Sequence, residues 1–162
     1  MNKILIDGDL ALRVRNVLRA IVRDLATIVE SPRYSGTVGL AAAVAEILIV
    51  VRELDISLPD YENDRVKEPA CLRSLHRTES TCATPISLPL DSARDLVMLV
   101  MGHSRSLDQL LVAVLQGTPD ELRKPTTLRF ARVMGYLYTD IMRPLHLQHR
   151  ELTTTVLGEA EP

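Results

Sequence analysis

The chain has 162 residues and a formal net charge of −2, from 19 Lys+Arg against 21 Asp+Glu. Hydrophobic residues at 46% and charged residues at 25% are ordinary globular usage and exclude a disordered chain. The near-neutral balance excludes a uniformly basic nucleic-acid binder, and one Phe, four Tyr and no Trp leave few platforms for stacking single-stranded bases.

The first residues read as extended. Lys3-Ile4-Leu5-Ile6 is β-prone, and Asp7 and Asp9 follow too soon for a secretory leader. Either aspartate is a candidate cap for a first helix, whose seam holds Val14, Leu18, Ile21, Leu25 and Ile28. Steps of four and three keep all five on one side of a helix. Ser31-Pro32 breaks it, because a residue before proline avoids the α region. Ser35 or Thr37 starts a second helix with Leu40, Val44, Ile47, Val51 and Leu54 in its seam. The apolar run 39–51 holds Glu46 and is too short to cross a bilayer, so a cytoplasmic protein without membrane contact is expected.

Helical periodicity then stops. Residues 55–90 carry Pro59, Pro69, Pro85 and Pro89 and read as one long ordered loop, well beyond the usual connection. Ile-Ser-Leu-Pro occurs at 56–59 and again at 86–89, as two extended pieces able to pair at the loop's base. Ser92 and Asp95 resemble a capping box for a third helix. Its seam is Leu96, Val100, His103, Leu107, Leu110 and Val114; Gly102-His103-Ser104 is a candidate break and Gly117 a candidate stop. Pro125-Thr126-Thr127 opens a fourth helix with Phe130, Met134, Leu137, Ile141 and Leu145, closed or kinked by Pro144. Residues 152–157 are β-prone, and 158–162 form a short acidic tail expected to fray. The expectation is an all-α fold: a single helical domain over 1–162, as a four- or five-helix bundle with a long ordered loop and short extended termini.

Three constellations are candidates for chemistry or binding. Ile4-Leu5-Ile6-Asp7-Gly8-Asp9 resembles the opening of the PIN and flap-nuclease families, in which a strand ends in an aspartate-glycine turn. That resemblance covers about nine residues and implies a metal-dependent phosphoesterase or nuclease with Asp7 and Asp9 on Mg²⁺. The rest departs from it, reading as helices where those families need a parallel sheet; without it, both aspartates simply cap a helix and complement its dipole. Cys71, His76 and Cys82 are residue types that zinc prefers, and a metal there would staple the long loop, but no Cys-x-x-Cys knuckle is present. Arg15, Arg19 and Arg23 recur every fourth residue, with Arg13 beside them. They read as an exposed stripe that docks an acidic partner or a nucleic-acid backbone, or else pairs with acids such as Asp24 and Glu30. Arg123, Lys124, Arg129 and Arg132 form a second basic cluster.

His103 in the third seam reads as a core histidine bonded to a carbonyl or carboxylate, with His146 and His149 scattered elsewhere. Glu46 is expected near a seam edge. No Glu-x-x-His pair supports a carboxylate-bridged metal bundle, no glycine-rich run supports a phosphate loop, and no cofactor is expected. The second and third helices are apolar on more than one side, which predicts burial against another subunit. The function expected is therefore a non-enzymatic helical interaction protein: an adaptor, regulatory or structural component of a larger complex such as a virion or secretion particle, self-associating through apolar helix faces. The phosphoesterase using Asp7 and Asp9, and a nucleic-acid-binding regulator using the arginine stripe, are the alternatives.

Overall fold

The first helix, α1 (Gly8–Glu30), begins where the carboxylate of Asp7 accepts a hydrogen bond from the Leu10 amide at 2.7 Å. That bond satisfies one of the amide donors that a helix start leaves unpaired. A computed structural model describes residues 3–59, 65–73 and 86–152. Among these, the chain is all-α: α1 is followed by a 3₁₀ turn (Pro32–Tyr34), α2 (Val38–Ser57), the one-turn α3 (Ala70–Arg73), α4 (Leu90–Gln116), α5 (Asp120–Tyr136), a π-helical stretch (Leu137–Met142) and α6 (Arg143–Gln148).

The seam of α1 is buried as its spacing requires, from Val14 through Leu18, Ile21 and Leu25 to Ile28. Ser31 ends the helix, and Gly36 turns the chain through a positive φ of 83°, which glycine adopts without strain. α2 returns antiparallel to α1: the Ile4 amide donates to the Ser57 carbonyl at 2.8 Å, tying the extended segment 3–7 to the far end of α2. This segment forms no strand, and Ile56 and Ser57 belong to α2, so half of the first Ile-Ser-Leu-Pro copy is helical and it does not pair with the second. The expected pairing of the two chain ends involves residues 153–157, which lie outside the described residues, as does the acidic tail.

α4 starts at Leu90, two residues before the expected cap. Ser92 and Asp95 lie within its first turns, where Arg33 holds both: Nε to Ser92 Oγ at 2.9 Å and Nη1 to Asp95 at 2.6 Å. A tertiary clamp stands in place of the capping box. α4 also runs unbroken through Gly102, since packing on both sides of that turn outweighs the roughly 1 kcal/mol penalty of a helical glycine. α5 starts at Asp120, five residues before the expected opening, and takes Pro125 into its second turn. Beyond it, the buried residues Leu137, Ile141 and Leu145 follow in two successive steps of four. In a regular helix such steps drift around the axis; the π-helical stretch absorbs the extra residue, with the Arg143 amide reaching back to the Tyr138 carbonyl. Pro144 then falls at the second residue of α6, directly after the π-helical stretch.

α2 packs against α1, α5 and the π-helical stretch. Leu40, Val44, Ile47, Leu48, Val50, Val51 and Leu54 are all buried, each gaining about 1.5–3 kcal/mol over exposure. Contrary to the expectation from sequence, α2 and α4 do not need a second subunit to enclose most of their surface. Neighbouring helices of the same chain cover most of both, and what reaches solvent is reduced to particular positions: Ile49 and Ile56 on α2, and Met98 and Val112 on α4.

Candidate functional site

The arginine row does not form one exposed stripe. Arg15 is 1% exposed, and its guanidinium Nε donates to Asp55 Oδ1 at 2.8 Å. A helix turns about 100° per residue, so a step of four overshoots one turn by about 40°. The row thus spirals from the edge of the buried face at Arg15 to solvent at Arg23. Arg19 bonds the side chain of Asn16 at 2.9 Å, and Arg23 pairs with Asp24 at 3.1 Å. Arg15 is removed from any docking stripe, because a charge desolvated and bonded inside the protein cannot meet a partner's phosphate.

Asp55 is the functional partner the sequence concealed, since it reads as the first loop residue. It is instead buried in the last turn of α2, beside seam residue Leu54, as Arg15 is beside seam residue Val14. That shared adjacency is the signal that could have found the pair. The second oxygen of Asp55 accepts from the Val66 amide at 3.1 Å, and Arg52 pairs with Glu68 at 3.0 Å. Residues 66 and 68 are thereby strapped to α2 by one part-buried hydrogen bond and one exposed ion pair.

The metal candidates separate. Asp7 is engaged as the α1 cap, and Asp9 is exposed in the first turn. Among the described residues, no three His, Cys, Asp or Glu side chains group to hold a metal ion. His76 and Cys82 lie outside the described residues. Cys71 is partly buried on α3; burial, and next its hydrogen bond with Glu30, push its thiol above the usual range. Both effects disfavour the thiolate that zinc binding or nucleophilic attack requires.

Two histidines make tertiary contacts. His103 Nε2 lies 2.9 Å from Asp24, the carboxylate contact expected of a seam histidine, and joins α4 to α1. His149 Nε2 meets the Leu88 carbonyl at 2.7 Å, and Gln148 holds the Leu88 amide, so the end of α6 closes on the segment leading into α4. His146 Nε2 is buried with no hydrogen-bond partner among the described residues.

Concave surface is shallow. An open groove of about 560 Å³ lies between the extended segment and the end of α4, lined mainly by Ile4, Leu5, Leu10, Ala113 and Val114. Among the described residues its charged lining is Lys3 and Asp7, and Asp7 is engaged as the α1 cap. The more distinctive surface is where α2 and α5 meet solvent. Glu53 of α2 and Arg132 of α5 pair across the seam. One turn away on each helix, Ile49 is 43% exposed and Leu128 is 55% exposed, with Ile56 at 43% further along α2. The sequence offered periodicity for what points inward, and these residues point outward.

No family model matches the chain, and neither a curated protein nor a solved structure does. Among the described residues, no helix is long and apolar enough to cross a membrane.

Proposed function

We propose that the protein is a non-enzymatic interaction and assembly component that self-associates through apolar helix surface. The observation that supports this reading is the α2/α5 face, where Ile49, Ile56 and Leu128 stand in solvent around an interhelical ion pair. Single exposed apolar residues are ordinary, whereas several on adjoining helix ridges form a surface that gains by being covered. The candidate chemistry residues are engaged within the fold: Asp7 in a cap, Arg15 in a buried pair, and His103 in a helix seam.

Light scattering coupled to size exclusion, run from micromolar to near-millimolar protein, tests the reading. The expected mass rises above the 18.0 kDa of one chain as concentration increases. A constant 18.0 kDa throughout overturns self-association.

A further inference from the structure

We infer that two copies of this chain pair through residues 3–7, each copy's extended segment lying antiparallel to the other's as a two-stranded ribbon. This rests on the self-association proposed above and adds a contact that shares no residue with the α2/α5 face.

The segment has the pattern of a strand without a partner. Lys3, Leu5 and Asp7 are exposed while Ile4 is buried and Ile6 is half-buried, the alternation of a strand with one face on a core. The Ile4 amide donates to the Ser57 carbonyl. Successive residues of an extended chain aim their amide and carbonyl at opposite edges, so those of Leu5 face away from Ser57. Among the described residues, neither Leu5 nor Ile6 makes a hydrogen bond. Leu5 is 56% exposed, and the open groove of about 560 Å³ toward the end of α4 leaves room beside the segment. An unpaired edge of this kind is a template for another strand, which supplies main-chain bonds.

The residue order names the partner. Read from either end, Lys3-Ile4-Leu5-Ile6-Asp7 gives a charge, Ile, Leu, Ile and a charge, and the two end charges are opposite. Centred on Leu5, an antiparallel pairing sets Leu5 against Leu5 of the second copy, Ile4 against its Ile6, and Lys3 against its Asp7. The two-fold operation repeats the last two contacts with the copies exchanged. A two-fold interface must be complementary to itself, because one patch supplies both sides, and this order of residues meets that condition. The two Leu5 residues exchange both of their main-chain bonds, and their exposed side chains cover each other. Lys3, Leu5 and Asp7 share the outer face, so each lysine lies beside the opposing carboxylate, an arrangement that favours the pairing. Asp7 has an oxygen for each role: Oδ1 accepts from the Leu10 amide, and Oδ2 makes no bond among the described residues. A ribbon of five residues is about 17 Å long, and two short strands pair weakly, which points to a concentration-dependent dimer.

Sedimentation equilibrium on the full chain tests this with variants of exposed residues. Leu5→Pro removes an amide that bonds nothing among the described residues, and is expected to abolish the dimer with far-UV circular dichroism unchanged. Lys3→Asp sets like charges against each other twice across the ribbon, and Asp7→Lys does the same with the opposite sign. Each is expected to raise the dimer dissociation constant about tenfold. An equimolar mixture of these two variants restores both opposite-charge contacts and is expected to associate about as tightly as wild type, which loss of folding or of the α1 cap would not allow. A mixture no tighter than either variant alone overturns the ribbon. If wild type dimerises, Ile49→Glu abolishes the dimer and Leu5→Pro does not, the ribbon is overturned while the α2/α5 reading stands. If Leu5→Pro abolishes the dimer and Ile49→Glu does not, the ribbon stands and the α2/α5 surface fails. A wild type that is monomeric up to near-millimolar concentration overturns both.

Discussion

Two arginine–carboxylate pairs join α2 to neighbouring helices, and they are alike in chemistry and opposite in setting. Arg15–Asp55 is enclosed between α1 and α2, with side chains only 1% and 5% exposed. Arg132–Glu53 lies in water, with both partners about half exposed. The buried pair spends much of its Coulombic attraction on desolvation and adds little net stability over apolar side chains of similar size. What it supplies is a fixed position: Arg15 meets one oxygen of Asp55, and the other accepts from the Val66 amide. The exposed pair is screened by solvent and entropically loose, so it adds little to the fold and is available to an interface. Identical functional groups thus hold the bundle in register at one site and mark its surface at another.

The sharpest way to break this contrast is Asp55→Ala. It leaves the Arg15 guanidinium buried without its carboxylate, and the expected loss is about 3–5 kcal/mol of unfolding free energy by urea denaturation. The melting temperature should fall by about 10 °C. The double variant Arg15→Met with Asp55→Leu is expected to recover most of that, with about 1 kcal/mol still missing because the Val66 amide has lost its acceptor. Recovery no better than the single variant would show that the pair itself stabilises the fold.

Asp7→Ala sharpens the comparison with a carboxylate that is exposed yet directional. Removing its bond to the Leu10 amide should cost about 1 kcal/mol. An unchanged denaturation midpoint would detach Asp7 from the start of α1. The smallest effect is expected for Glu53→Ala, within about 0.5 kcal/mol of wild type when measured on the dilute monomer. A loss as large as that of Asp55→Ala would erase the distinction between the two settings.

Much of the bundle was legible because its seams obey one rule. Val14 to Ile28 and Leu40 to Leu54 keep steps of three and four, and a stripe of that kind has to face another element. Helix starts were less legible, because a cap is a local preference and a tertiary partner can override it. Ser92 and Asp95 looked like a cap, yet Arg33 claims both from 59 or more residues away. The candidate site was least legible. Arg15 shares its spacing with Arg19 and Arg23, and the sequence alone does not show that the row winds onto the core until Asp55 is known to lie across from it. Residues such as Ile49 and Leu128 gave no pattern at all, because an outward apolar side chain gains meaning only from what the neighbouring helix places beside it.

The π-helical stretch carries a consequence for how this chain tolerates changes in length. A residue deleted from α4 would rotate everything beyond it by about 100° and turn seam side chains to solvent. A residue deleted from Leu137–Met142 instead removes the surplus that widened that turn. An ordinary helical winding would close the gap, and Leu145 would still face inward. Single-residue deletions among natural variants should therefore collect at this point of the final helical arm and be scarce along α4.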